Sequence, residues 1–240
     1  MSKSKQIKVN PVFVKTRNVR NFETLMDGLA LADGEGRLGL VYGRAGRGKT
    51  RTSQWYAANN RCVYLRVVNI WSELDFLKAL CRELGVINPP HRKGLCFSEI
   101  VERLVAYPAP VFLDEIEKLS RSFLDTIRDI TDITGAPFIL VGEEELVALM
   151  RQNRRVWSRT FQQIEFSPIT VADVIAYAGE ATGLKMEMEA GKILHEAAGG
   201  DFRLVKRDLL TLVQYANAKN AAAIDADLAR VAVKSGLSGK

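Results

Sequence analysis

Gly43-Arg44-Ala45-Gly46-Arg47-Gly48-Lys49-Thr50 has the form G-x-x-x-x-G-K-[ST]; it follows the apolar run Leu38-Gly39-Leu40-Val41-Tyr42 and opens a helix-like stretch, Thr50 to Asn60. A strand before and a helix after are the context that a phosphate-binding loop requires. The glycines let backbone N–H groups turn toward a phosphate without Cβ clashes, and the helix N-terminus adds partial positive charge. In that setting Lys49 reaches the β- and γ-phosphates and the Thr50 hydroxyl ligates Mg²⁺. The expected ligands are therefore ATP and Mg²⁺, held by Gly43, Arg44, Ala45, Gly46, Arg47, Gly48, Lys49, Thr50 and Arg51.

Outward from the loop, strand and helix patterns alternate. Strands are expected at 38–42, 61–68, 111–115, 138–141 and 162–166, with helices at 72–84, 97–105, 122–133 and 143–150 between them. Alternation of this kind argues for an α/β fold, a five-stranded parallel sheet with helices on both faces. Before the first strand, a polar, basic and mobile start (1–10) gives way to Pro11-Val12-Phe13-Val14, then to a helix ending at the turn residues Asp33-Gly34-Glu35-Gly36. After Ser167-Pro168 strand signals vanish, and helical stretches follow at about 170–181, 188–198, 201–218 and 225–235. The expected division is an N-terminal basic segment with its helix at 1–36, an α/β nucleotide-binding core at 37–167 and an all-helical lid at 168–240.

The 240 residues carry a formal charge of +6, with 47% hydrophobic residues spread through the chain. A basic balance favours a polyanionic partner. Cys62, Cys81 and Cys96 form no C-x-x-C pair, so no metal centre is expected, and Cys62 and Cys81, among apolar neighbours, are expected as small core residues. The first eight residues lack the apolar centre of a secretion signal, and no run has membrane-spanning length. A cytoplasmic protein without a membrane partner is expected.

Hydrolysis needs a second carboxylate site facing the γ-phosphate. Val111-Phe112-Leu113 ends in Asp114-Glu115, and in an open α/β sheet ligands bind beyond the carboxyl ends of the strands. Asp114 then holds Mg²⁺ through water, and Glu115 polarises the attacking water as general base.

Together the phosphate loop, the Asp114–Glu115 strand, the order of strands and the helical lid resemble the AAA+ P-loop ATPases across nearly the whole chain. The resemblance implies a sheet ordered 5-1-4-3-2. It implies a role for Arg203, in Gly199-Gly200-Asp201-Phe202-Arg203, on the γ-phosphate of its own subunit. A neighbouring subunit would supply an arginine finger from Arg154, Arg155 or Arg159, with Arg159 in Trp157-Ser158-Arg159 nearest the family position. One departure stands out: the family's polar residue at the end of the fourth strand is missing from Leu140-Val141-Gly142-Glu143. Either Glu143 or Glu144 orients the water, or that element is absent and hydrolysis is slow.

Phe13 to Phe22, followed by Leu40-Val41-Tyr42-Gly43, is similar to the transposition helper ATPases of the bacteriophage Mu B type. That similarity implies an ATP-dependent homo-oligomer or helical filament that coats duplex DNA without sequence preference and recruits a transposase, with Thr16 and Arg17 near the adenine. DNA contacts are expected from His91, Arg92 and Lys93, with the basic N-terminus and the segment around Asn69 and Trp71 as further candidates. The alternatives are an ATPase acting on a polypeptide, in remodelling or secretion, and a relative of replication initiators and helicase loaders.

Overall fold

The computed structural model describes residues 6–32 and 37–236; the turn expected at 33–36 and the basic residues 1–5 lie outside them. Packing groups the chain into two units. One holds residues 19–44 and 49–166, and the other holds the segment up to Asn18, residues 45–48 and the chain from Ser167 onward.

The first unit begins within α1 (Arg17–Leu31) and continues through β1 (Leu38–Tyr42), α2 (Lys49–Asn59), β2 (Val63–Arg66), α3 (Glu73–Glu83) and α4 (Lys93–Ala106). Next come β3 (Val111–Asp114), a 3₁₀ turn (Ile116–Lys118), α5 (Arg121–Thr134), β4 (Phe138–Val141), α6 (Glu145–Gln152), α7 (Arg154–Trp157) and β5 (Thr160–Glu165). All strands pair in parallel, in the order β2-β3-β4-β1-β5. This is the expected order read from the opposite edge.

Side chains alternate across a strand, and here both faces are covered. Leu38, Leu40, Val111, Leu113, Phe138 and Leu140 enter one core with residues of α3, α4, α5 and α6. Val41, Phe112, Ile139 and Val141 enter the other with Phe22, Leu25, Met26 and Leu29 of α1. Burial on both faces explains the unbroken apolar runs in these strands. The edge strand β5 instead alternates between half-buried and exposed residues. Cys81 and Cys96 are fully buried in the first core, and burial pushes the Cys81 thiol up to about 12. Trp71 packs against that core as well.

The second unit contains α8 (Val171–Thr182), β6 (Lys185–Met186), α9 (Met188–Ala198), α10 (Phe202–Lys219), β7 (Ala223–Ile224) and α11 (Ala226–Ser235). Its helix starts are set locally. Thr170 and Asp173 form a reciprocal capping box, while Asp201 and Asp225 cap α10 and α11. The expectation of an all-helical lid is corrected in one respect. β6 and β7 pair in parallel, Lys185 with Ala223 and Met186 with Ile224, and two residues are too few to show a period of 2 in sequence.

Residues 6–10 also differ from the mobile start expected. Ile7 exchanges both backbone groups with the Asn217 side chain, at 2.8 and 2.9 Å, and Asn10 N–H donates to the Ala181 carbonyl at 2.8 Å. Ile7, Val9, Val12 and Val14 pack against the apolar core of this unit. Alternate apolar residues on a strap of this kind find partners only in the folded unit. Among the described residues no helix is long and apolar enough to cross a membrane.

Candidate nucleotide-binding site

In the first unit the site lies along the carboxyl edge of the sheet. β4 runs between β1 and β3, with Val141 level with both Val41 and Asp114. The start of the phosphate loop and the acidic end of β3 therefore flank the end of β4. Lys49, only 8% exposed, turns its ammonium back onto the carbonyls of Gly43 and Arg44. Lys49 opens α2, where a helix N-terminus favours an anion, and these residues fit a triphosphate. Thr50, in the first turn of α2, and Asp114 are hard oxygen donors of the kind that Mg²⁺ takes.

Asp114 is 1% exposed, and its charge is satisfied within the chain. Its Oδ2 accepts from the Tyr64 hydroxyl at 2.7 Å, and its Oδ1 accepts from the Glu115 N–H at 3.1 Å. Burial and the bond to Asp114 raise the Tyr64 phenol well above its ordinary range, so it stays a donor.

Glu115 was expected inside the strand, but β3 stops at Asp114. Glu115 instead adopts the left-handed region, φ 60° and ψ 37°, which costs a non-glycine residue about 1 kcal/mol. Backbone held in that region at the end of a strand re-aims a side chain. Here it sends the carboxylate to Arg66, at the end of β2, and to Lys118 of the 3₁₀ turn. Burial opposes its ionisation, but the hydrogen bonds from Lys118 and Arg66 outweigh that and hold the carboxyl below the ordinary range.

Two residues on, Glu117 is shifted the other way. Burial raises its carboxyl despite backbone hydrogen bonds from Glu117 and Glu143, and the charges of Glu143 and Glu115 add to the rise.

In the second unit, residues 45–48 lie against the start of α10. Gly46 and Gly48 have φ of +79° and +95°, conformations that side chains rarely take. Phe202 N–H donates to the Gly46 carbonyl at 2.9 Å, and a Cβ on Gly46 would overlap the Asp201 carboxylate. The Arg47 guanidinium donates to the carbonyls of Gly199 and Gly200. Arg203, 68% exposed at its side chain, pairs with Asp201 at 3.2 Å. Residues 45–48 and 199–203 are thus brought together. Of the residues expected near the adenine, Thr16 is buried and Arg17 is exposed. The neighbouring Asn18 was missed by sequence reading; it bonds Ser167 through both backbone groups, at 2.8 and 3.2 Å, and reaches the Arg47 carbonyl at 3.5 Å.

The remaining candidates are spread over the first unit. Arg159 Nε donates to both oxygens of Asp132 on α5, at 2.9 and 3.1 Å, while Arg154 and Arg155 are exposed on α7. Lys93 is paired with Glu73 at 2.6 Å, and His91 lies 2.9 Å from the Lys78 ammonium. Arg92 is exposed, just before α4, with no side-chain capping bond. Sequence reasoning did not find Tyr64, Arg66 or Lys118. Their one signal was the expected pairing of the second strand with the third, which sets Arg66 beside Asp114.

Residues 32–150 match the AAA domain family. The chain is 26% identical over 206 residues to the Mu-like prophage FluMu DNA transposition protein B of Haemophilus influenzae, covering 81% of this chain and 70% of that protein. It is 27% identical over 176 residues to the ATP-dependent target DNA activator B of Escherichia phage Mu, covering 70% of this chain and 55% of the relative. Among solved structures, the ADP form of the Aeropyrum pernix ORC2 protein superposes with a TM-score of 0.68 at 17% identity, over 96% of this chain and 73% of that one; this likeness speaks to fold alone. With an AAA-domain match that spans both the phosphate loop and the Asp114–Glu115 strand, and with transposition B proteins among the curated proteins it resembles, the chain is an AAA+ ATPase similar to the Mu B proteins.

Proposed function

We propose that this protein is an ATP-dependent switch that assembles on duplex DNA and recruits or activates a transposase for target-site selection. The single observation that carries its ATPase chemistry is the Glu115 carboxylate, one residue beyond the buried Asp114, on the sheet edge that also launches the phosphate loop. The role on DNA rests on the relatives, which are named for target DNA activation and transposition; the chain spans little more than half of the phage Mu protein.

In this reading Lys49 holds the β- and γ-phosphates, and Thr16 and Arg17 lie by the adenine. Mg²⁺, held by Thr50 and through water by Asp114, would neutralise charge on the phosphate oxygens. Glu115 takes the proton of the attacking water, and Arg203 meets the γ-phosphate. Arg159 leaves Asp132 to complete the site of a neighbouring copy, so turnover follows assembly. His91, Arg92 and Lys93 face DNA phosphates, and the same few charges repeated along an oligomer multiply a modest contribution from each subunit. The protein works in the cytoplasm, as a homo-oligomer or helical filament.

The test is negative-stain microscopy with ATP and with ADP, each with and without duplex DNA, on the parent protein, Lys49→Ala and Glu115→Gln. Assembly on DNA is expected with ATP, is lost in Lys49→Ala, and persists without turnover in Glu115→Gln. A stable monomer that ignores DNA at low salt in ATP overturns the proposal.

A further inference from the structure

The start of the phosphate loop and Glu115 flank the end of β4, so in the proposed function whatever projects from that end faces the space where water attacks the γ-phosphate. Gly142 stands there, fixed by its N–H to the Val41 carbonyl at 3.0 Å, and brings no side chain. The two acids that follow, Glu143 and Glu144, are exposed. The space is nonetheless filled: a Cβ on Gly142 would overlap Oε2 of Glu117.

We propose that Glu117 positions the attacking water together with Glu115, its carboxyl standing in for the polar side chain that Gly142 lacks. The inference deepens the ATPase reading above and rests on it.

Three observations carry it. The left-handed turn at Glu115 and the 3₁₀ turn after it fold the chain back from the end of β3, so that Glu117 lies over β4. The Glu143 backbone faces the Glu117 carboxyl and favours its charged form. Its Oε2 is buried and has no hydrogen-bond partner among the described residues. A buried acceptor without a donor is destabilising and calls for a reason. A water beside Glu115, at the end of β4, supplies the missing donor. It gives one hydrogen bond to Glu117 Oε2, which takes no proton, and its other proton passes to Glu115 as its oxygen bonds to phosphorus and the bond to the leaving ADP oxygen breaks. The raised carboxyl of Glu117 is consistent with this division, because a group shielded from solvent keeps a water fixed better than one that is hydrated. Glu117 is thus a positioning residue, and Gly142 is required because any side chain there would evict it.

The experiment measures ATP turnover, ATP and ADP affinity, and melting temperature for the parent protein, Lys49→Ala, Glu117→Ala and Glu117→Gln, with duplex DNA present. Glu117→Ala is expected to lower kcat by up to roughly 100-fold through misplacement of the water, to leave both nucleotide affinities within about twofold, and not to lower the melting temperature, since it removes a buried unpartnered oxygen. Glu117→Gln, which keeps an acceptor in place, falls between Glu117→Ala and the parent in kcat. Parental turnover in Glu117→Ala overturns the inference. So does a loss of turnover accompanied by weaker nucleotide binding and a lower melting temperature, which marks a structural role. If the parent protein releases no more phosphate than Lys49→Ala, the ATPase reading fails and the inference falls with it.

Discussion

A carboxylate that takes a proton from water works best when it is free to receive it, and Glu115 is held by two cations. Arg66 and Lys118 depress its basicity and engage one carboxylate oxygen each. Arg66→Ala, which leaves Lys118 in place, is therefore expected to raise basal ATP turnover a few-fold without changing ATP affinity, as measured by phosphate release under saturating ATP. A fall in kcat would instead make Arg66 part of the productive arrangement. The charge at position 117 gives a second residue-scale expectation. The Glu117 carboxyl is raised above its ordinary value of 4.5, so the folded state holds the proton more tightly than the unfolded one, and stability is lost as pH rises through that window. Glu117→Gln mimics the protonated acid. Its melting temperature should gain on the parent at pH 7 and not at pH 4, and an equal offset at both pH values would contradict the assignment. Lys49, Asp114 and Glu115 were legible from spacing alone, because a phosphate loop and an acid-terminated strand are local patterns. Tyr64, Arg66 and Glu117 were not, since their places beside Asp114, Glu115 and Gly142 depend on which strands pair and on a left-handed residue that nothing in the local sequence demands.

Several elements in this chain are tied together by side chains that bridge between them. Glu73, in the first turn of α3, accepts from Lys93 at the start of α4 and from Thr126 on α5. The Lys93 bond, then the Thr126 bond, hold its carboxyl below the ordinary 4.5. A depressed folded value means that this stabilisation is present above the unfolded value and is lost as pH falls through the folded one. Glu73→Gln should accordingly lower the melting temperature at pH 7 and converge with the parent in acid; a constant gap across pH would show that packing, not charge, is affected. The strap of residues 6–10 is held to its unit by the Asn217 amide. Asn217→Ala leaves two backbone groups of Ile7 without their partner and should cost about 1–3 kcal/mol in urea unfolding; an unchanged midpoint would mean that water takes over at both atoms. The strap and the β6–β7 pair escaped sequence reading for one reason. Both are short extended pieces whose partners lie far along the chain, whereas the sheet strands announce themselves as apolar runs buried on two faces and the helices by capping residues such as Thr170 and Asp173.

At the scale of the molecule, the proposed function makes the nucleotide site a joint property of neighbouring copies bound to a polyanion. A formal charge of +6 favours DNA but does not locate it, and two of the three expected contact residues are engaged within the chain, Lys93 by Glu73 and His91 by Lys78. All three are exposed, and Arg92 is the one without a side-chain partner among the described residues. Neutralising a duplex phosphate contributes a slope of about −0.9 to the dependence of log affinity on log salt, so Arg92→Ala should flatten that slope by about 1 for every DNA sequence, while an unchanged slope removes Arg92 from the interface. The arginine finger poses the sharper question, because Arg159 has an intramolecular partner in Asp132 and a purely structural ion pair would look the same in one subunit. Two inactive variants separate the possibilities. Glu115→Gln binds ATP and carries an intact Arg159 but lacks its base, while Arg159→Ala keeps the base and lacks the arginine. If a neighbour completes each site, mixing the two on DNA places an intact Arg159 against an intact Glu115 at their shared interfaces, and ATP turnover returns although neither variant hydrolyses alone. If Arg159 serves only its own fold, the mixture stays silent, and Asp132→Ala lowers the melting temperature as much as Arg159→Ala does. Turnover in the mixture is the expected result, because Arg159 stands before the start of the edge strand β5 whereas Glu115 follows the end of β3, with β4 and β1 lying between those two strands, so the proposed arginine and base of one subunit are set apart at opposite ends of separated strands.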